Sequence, residues 1–235
     1  MYYPILMSYT SAIADKSEFD ALFPRWDKLE PAVQKTLHKQ ASFHSAKKGT
    51  MLQNDEAHCL GLILVNSGQL RTYMMSDEGK EITLYRLFDG DMCLLSASCI
   101  LNSIQFEVIV EAEKDTNFWI IPSPTYKTLM TQSLTLSNYT NELMSARFSD
   151  VMWVMQQVLF KSMDERLSDF LLDETNRENS DLLIITHEQI AHHLGTAREV
   201  ITRLLKYLQE EHAISLSRGS IKIENRDILE KRLQK

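Results

Sequence analysis

Three side chains able to read nucleic-acid bases stand close together at Arg198, Glu199 and Arg203, with Thr202 beside them. An arginine fork suits the N7 and O6 of guanine, a carboxylate accepts from the N4 amino group of cytosine, and a hydroxyl serves either kind of base. Such reading needs the groups on one face of a rigid element. Val200, Ile201, Leu204, Leu205 and Leu208 supply the apolar stripe of a helix that would turn them outward. Thr186 with Gln189, and Thr196 with Glu199, both have capping-box spacing and mark two helix starts. Gly195 lies between them, where a tight turn needs a residue tolerant of positive φ. The expectation for residues 186–223 is helix, turn, second helix and a two-stranded wing, with the chemistry of major-groove reading.

Charge distribution bears on that reading. The net charge of −7 weighs mildly against a nucleic-acid partner, so its location matters. Residues 161–235 hold 12 basic and 14 acidic side chains, yet 196–209 carries Arg198, Arg203 and Lys206 against Glu199 alone. The positive charge is focal, extended by Arg218 in the wing and His187 at the start of the first helix. A small patch predicts that specific contacts outweigh bulk attraction to phosphate, with strong salt sensitivity. No run of 18 apolar residues exists, and MYYPILMSYT lacks a signal peptide's basic flank. A cytoplasmic protein with no membrane partner is expected. Cys59, Cys93 and Cys99 cannot all pair with one another and form no C-x-x-C knuckle, so reduced thiols and no metal are expected.

At 235 residues the chain has room for one or two domains, each with a core. Residues 1–16 show no period and read as a tail or short helix. Phe19, Leu22, Phe23, Trp26, Leu29, Val33 and Leu37 predict a helix over about 18–39. From 41 to 121 short runs of β-formers alternate with turns, and Gly68, Gly79 and Gly90 fall 11 residues apart. Even spacing of short strands predicts a small antiparallel barrel or jelly roll, the plainer alternative being an unspecialised β-sandwich. After Pro124 the chain turns helical. Met144, Phe148, Val151, Met155 and Val158 are spaced 4, 3, 4, 3, as in a coiled-coil seam. That seam is either a dimer interface or a face packed on the chain's own core; its length and isolation between two domains favour the dimer. Ser162 to Glu165 is a further capping box, 166–174 an amphipathic helix body, and 177–181 a polar break. The predicted fold class is α+β: an N-terminal antiparallel β-roll domain with a leading helix (1–131), a long dimerisation helix (132–160), and a C-terminal winged helix-turn-helix (161–235).

In this order the pieces resemble the Crp/Fnr superfamily of bacterial transcription regulators. The similarity runs over about residues 18–230. It is carried by THEQIAHHLGTAREVITRLLKYLQEEHAI (186–214), SLSRGSIKI (215–223) and VNSGQLRTYMMSDEGKEITLYRLFDGD (65–91). The resemblance implies that Arg198 and Arg203 donate to guanine and that Glu199 accepts from cytosine. Thr202 lies where some members read a neighbouring base. Thr186 and Arg218 match phosphate-contacting positions, and His187 and Thr196 are grouped with them; helix capping is the plainer role for Thr186. The implied partners are double-stranded DNA, a second copy of the chain and RNA polymerase. A symmetric dimer would read an inverted repeat with a GTGA- or TTGA-like core.

The sensor half departs from the family's ligand-binding members. Cyclic-AMP binders follow the Gly-Asp turn with a Gly-Glu pair and later an Arg-Ser or Arg-Thr pair. Here Leu94-Leu95 and Phe106-Glu107 stand at those places. Losing the cation that neutralises the cyclic phosphate forfeits both hydrogen bonds and charge balance, so no cyclic AMP is expected. The family's iron–sulfur branch uses four cysteines, three near the N-terminus, and no cysteine precedes Cys59, so no cluster is expected. His44, His58 or Cys59 could ligate haem in principle, although solvated histidines are commoner. No cofactor is therefore predicted. Cys93, Leu94, Leu95, Cys99, Ile104 and Phe106 are candidate lining for a small apolar effector or a redox signal, with plain core packing as the alternative for the thiols. A different class of function, a jelly-roll binding protein or enzyme with an appended interaction winged helix, would need metal-ligating histidines on facing strands. His44 and His58 have no third partner at ligand spacing.

Overall fold

The computed structural model describes residues 10–11, 14–52, 61–94 and 108–234. The leading apolar stretch forms three short pieces: α1 (Lys16–Leu22), a 3-10 turn (Trp26–Lys28) and α2 (Pro31–Gln40). This corrects the single helix expected over 18–39. Pro24 forces extended backbone at Phe23 (ψ 119°), which ends α1, and Pro31 does so at Glu30 (ψ 140°), the N-cap from which α2 starts afresh. Before them, β1 (Thr10–Ser11) pairs with β2 (Ser42–Ala46), so these two residues are strand and not tail or helix.

The middle of the chain holds β3 (Met51–Leu52), β4 (Leu62–Ser67), β5 (Leu70–Met75), β6 (Glu81–Leu87), β7 (Met92–Cys93), β8 (Ile109–Ala112) and β9 (Thr116–Ile121). Two antiparallel sheets result, in the orders β1-β2-β9-β4-β7 and β3-β8-β5-β6. Strands β4 and β9 bury both faces. Leu62, Leu64, Trp119 and Ile121 join a core with Phe19, Val33 and Leu37 of the leading helices, while Ile63, Val65, Phe118 and Ile120 face a second core with Leu70, Val110 and Cys93. Two-sided burial explains their near-continuous apolar sequence. Gly68 turns the β4–β5 hairpin with φ +105°, and a Cβ there would meet the Asp115 carbonyl at 2.5 Å. Only glycine fits that approach.

Helix α3 (Ser123–Gln132) precedes α4 (Leu134–Phe160), a helix of 27 residues. The chain then forms α5 (Met163–Glu178), β10 (Leu182–Leu183), α6 (His187–Leu194), α7 (Arg198–Glu210), β11 (Ile214–Ser217), β12 (Ser220–Ile223) and α8 (Arg226–Arg232). A third core joins Leu167 and Leu171 of α5, Ile190 and Leu194 of α6, Ile201, Leu205 and Leu208 of α7, Ile221 and Ile223 of β12, and Leu229 of α8. The α+β architecture expected from the sequence is the one observed.

Two compact units divide the chain, one of residues 1–74 and 84–151, the other of 75–83 and 152–235. Their boundary falls inside α4, between Val151 and Met152, whereas the sequence reading set 132–160 apart as a segment of its own. Within the first unit, Met144 packs against the helix-side core and Val151 against the inter-sheet core. Arg147 lies between them in sequence, its guanidinium 4.6 Å from the Tyr85 ring centroid and its Nη1 2.9 Å from Asp150. The expected seam thus splits. Met144 and Val151 turn to the chain's own core, while Phe148, Met155 and Val158 are exposed. The exposed apolar line is Phe148, Met152, Met155 and Leu159, with Phe148 67% and Leu159 62% exposed.

Candidate nucleic-acid interface

Helix α6 starts where the sequence placed it. Thr186 Oγ1 accepts from the Gln189 N–H at 3.2 Å, and Gln189 Oε1 accepts from the Thr186 N–H at 2.9 Å, closing the capping box. It ends at Gly195, whose φ of +66° lets its N–H and that of Thr196 both reach the Ala191 carbonyl. The buried guanidinium of Arg166 adds a bond to the Leu194 carbonyl at 2.6 Å, satisfying a helix-end acceptor from α5. No periodicity announces that role, because the two residues lie 28 apart in the chain.

The second expected capping box does not form. Helix α7 is capped by Ala197, with no side-chain bond, and the Ala197 carbonyl takes the first intrahelical N–H from Val200 at 3.0 Å. The helix begins one residue later than the Thr196 to Glu199 spacing implied. Thr196 is left in the turn, half-buried, beside first-turn N–H groups that no side chain caps. An uncapped helix start of this kind attracts anions.

Along α7 the apolar stripe is buried at three of its five positions, with Val200 and Leu204 half-buried. Ile201, Leu205 and Leu208 are buried, and Arg198, Glu199 and Arg203 are exposed. Together with Thr202 they line one shallow depression, which Lys206, Tyr207 and Glu210 complete. Tyr207 and Glu210 were not singled out in the sequence; one turn on from Arg203 and Lys206, their spacing could have found them. The face presents three cations, two carboxylates and two hydroxyls. Such a surface can donate to and accept from base edges and pair with phosphate.

His187, the first residue of α6, reaches α7. Its Nδ1 lies 2.9 Å from the Thr202 hydroxyl. Burial, and then the Arg198 charge, hold the imidazole below its ordinary range. Arg218 is exposed at the tip of the β11–β12 hairpin, beside Gly219. The other histidines of α6 face the 75–83 segment of the same unit: His193 Nδ1 lies 2.8 Å from Thr83 Oγ1 and His192 Nδ1 3.5 Å from Glu81.

Of the candidate effector residues, the structure describes Cys93 and Leu94. Leu95, Cys99, Ile104 and Phe106 lie outside the described residues, as do His58 and Cys59. Cys93 and Leu94 are both fully buried but in different cores, because neighbouring residues of an extended strand point to opposite sides. A redox thiol needs access, and Cys93 lacks it; its Sγ is 3.9 Å from the buried Tyr85 hydroxyl. The His44 ring is held by Ser42 Oγ at 2.7 Å and stacks on Phe118. Among the described residues no group of three His, Cys, Asp or Glu is arranged to hold a metal, and no helix is long and apolar enough to cross a membrane.

Comparison with known proteins bears on this geometry. Residues 165–232 match the model of the Crp-like helix-turn-helix domain. A crystal structure from Eubacterium rectale, assigned to the Crp/Fnr family of transcriptional regulators, is 55% identical. The match covers 92% of this chain and 100% of that one, with a TM-score of 0.88. The cyclic AMP receptor protein of Thermus thermophilus is 25% identical over 169 residues, 72% of this chain and 77% of its own. The transcriptional activator protein Anr of Pseudomonas protegens is 27% identical over 177 residues, 72% of this chain and 71% of its own.

Proposed function

The chain belongs to the Crp/Fnr family of transcription regulators, with the DNA-binding helix-turn-helix of that family, and from that premise we propose that it acts as a homodimer on an inverted-repeat operator. One observation carries the reading: Arg198, Glu199 and Arg203 are exposed together on a single face of α7. In this proposal Arg198 and Arg203 donate to guanine, Glu199 accepts from cytosine, and Thr202 reads a neighbouring base. Thr186, His187, Thr196 and Arg218 flank that face and take phosphates, which fix register without reading sequence. The exposed line of Phe148, Met152, Met155 and Leu159 supports pairing through α4, since two such lines would remove from water what one chain cannot.

The first unit is the sensor in this reading, and a change within it biases the α4 pairing and so the spacing of the two α7 helices. The substitutions at Leu94-Leu95 and Phe106-Glu107 argue for an effector other than cyclic AMP, and three cysteines fall short of the four thiolates of the family's iron–sulfur cluster; haem is not expected either. Micromolar calorimetric affinity for cyclic AMP would contradict that. RNA polymerase is the further partner the family implies, and the cytoplasm is where such an operator lies.

The test is a gel shift on duplexes carrying two GTGA- or TTGA-like half-sites one helical turn apart. Arg203→Ala should cut specific affinity more than about tenfold, the size of one base contact, while binding to unrelated DNA changes little. An unaltered footprint with that variant would end the assignment.

A further inference from the structure

We propose that His187 is a specificity-positioning residue, which decides through its bond to the Thr202 hydroxyl whether that hydroxyl meets DNA as an acceptor or a donor. The inference rests on α7 being the base-reading helix. It goes beyond that reading by giving the preceding helix a part in sequence choice without a base contact of its own.

A threonine hydroxyl is a poor reader alone. It rotates, carrying one donor and two acceptor lone pairs, and serves either kind of base. On a helix it can also turn back to the carbonyl four residues earlier. Thr202 is half-buried, three residues after Glu199 and one before Arg203, and it lines the same depression. The 2.9 Å bond to His187 Nδ1 takes away its rotational freedom. His187 is itself held at the first position of α6 by the Thr186 and Gln189 capping box.

The sense of the bond depends on the ring's tautomer. Burial and the nearby Arg198 guanidinium favour the neutral imidazole, in which the two nitrogens have opposite roles. In this proposal the proton sits on Nε2, so Nδ1 accepts from the Thr202 O–H. The oxygen lone pairs then face outward and select an amino-bearing base, adenine through N6 or cytosine through N4. Removing the ring frees the hydroxyl to rotate, and the choice is lost even though Thr202 remains.

The experiment measures binding of the full chain to a panel of duplexes that vary each base pair of the half-site in turn. The parent should favour adenine or cytosine at one position by about three- to tenfold, the worth of one hydrogen bond. His187→Ala should flatten that one position to within about twofold while leaving the positions read by Glu199 and Arg203 unchanged. His187→Asn, whose Oδ1 stands near the place of Nδ1, should restore it. Thr202→Val should flatten the same position, with no further loss in the double variant. Retention of that single-position preference with His187→Ala, whatever uniform loss of affinity its phosphate contact adds, or failure of His187→Asn to restore the preference, would overturn the proposal. A parent that shows no preference at any position would instead remove the base-reading role of α7 on which it depends.

Discussion

Arg198 acts on its neighbours as well as on DNA. Its charge is one of two causes, after burial, that lower the His187 pKa from the ordinary 6.5. A depressed folded value means that the unfolded chain binds the proton more readily. The contribution of His187 to stability is therefore present above pH 6.5 and is lost as pH falls through the folded value. Arg198→Ala removes a like charge and should raise the His187 pKa, read from the ring carbon shifts in an NMR titration of the DNA-free protein. An unmoved titration would mean that the two groups do not sense each other. At this scale the sequence was informative about chemistry and less so about placement. Arg198, Glu199 and Arg203 could be identified because charged side chains interrupt an apolar helical period. Thr196 could not be placed, because a capping-box spacing marks a helix start that the chain need not use, and only the backbone bonds from Val200 and Ile201 to Ala197 set the start one residue later.

The helix-turn-helix depends on two small devices. Thr186→Ala would leave the first N–H groups of α6 without a cap and should cost about 1 kcal/mol in denaturant unfolding. Gly195→Ala meets two obstacles. Its φ of +66° disfavours any side chain, and a Cβ there would lie 3.1 Å from Ile82, which belongs to the same unit. A loss of about 1 kcal/mol or more is expected, visible as a lowered melting temperature. An unchanged melting temperature would show that the turn relaxes freely. Both devices were legible because Gly195 and the Thr186 to Gln189 spacing are local signals. The leading helices were misread for a related reason. Hydrophobic spacing through Phe19, Phe23 and Trp26 continues across Pro24, but the ring of a proline restricts the residue before it whatever the pattern of burial. Arg166 shows the opposite limit: its bond to the Leu194 carbonyl joins α5 to α6 and exists only once both have docked.

For the whole molecule the decisive surface is the outer side of α4. Phe148→Asp would place a charge in the proposed seam, where burial without a partner is costly. Sedimentation velocity should show a shift from dimer to monomer, and the variant should bind an inverted repeat no better than a single half-site. A Phe148→Asp protein that stays dimeric would place the interface elsewhere. The negative net charge of the chain leaves the positive face of α7 as a local feature, so binding should weaken steeply with added salt. The amino-acid sequence by itself determined the order of elements, the apolar stripes, the turn glycines and the identity of the side chains that α7 presents, because each depends on residues within one or two turns of each other. Tertiary structure alone decided which seam residues face outward, that Cys93 and Leu94 lie in separate cores, and that His187 meets Thr202. These outcomes depend on how elements far apart in the chain pack, and side-chain periodicity is silent about which of two apolar faces a neighbour will cover.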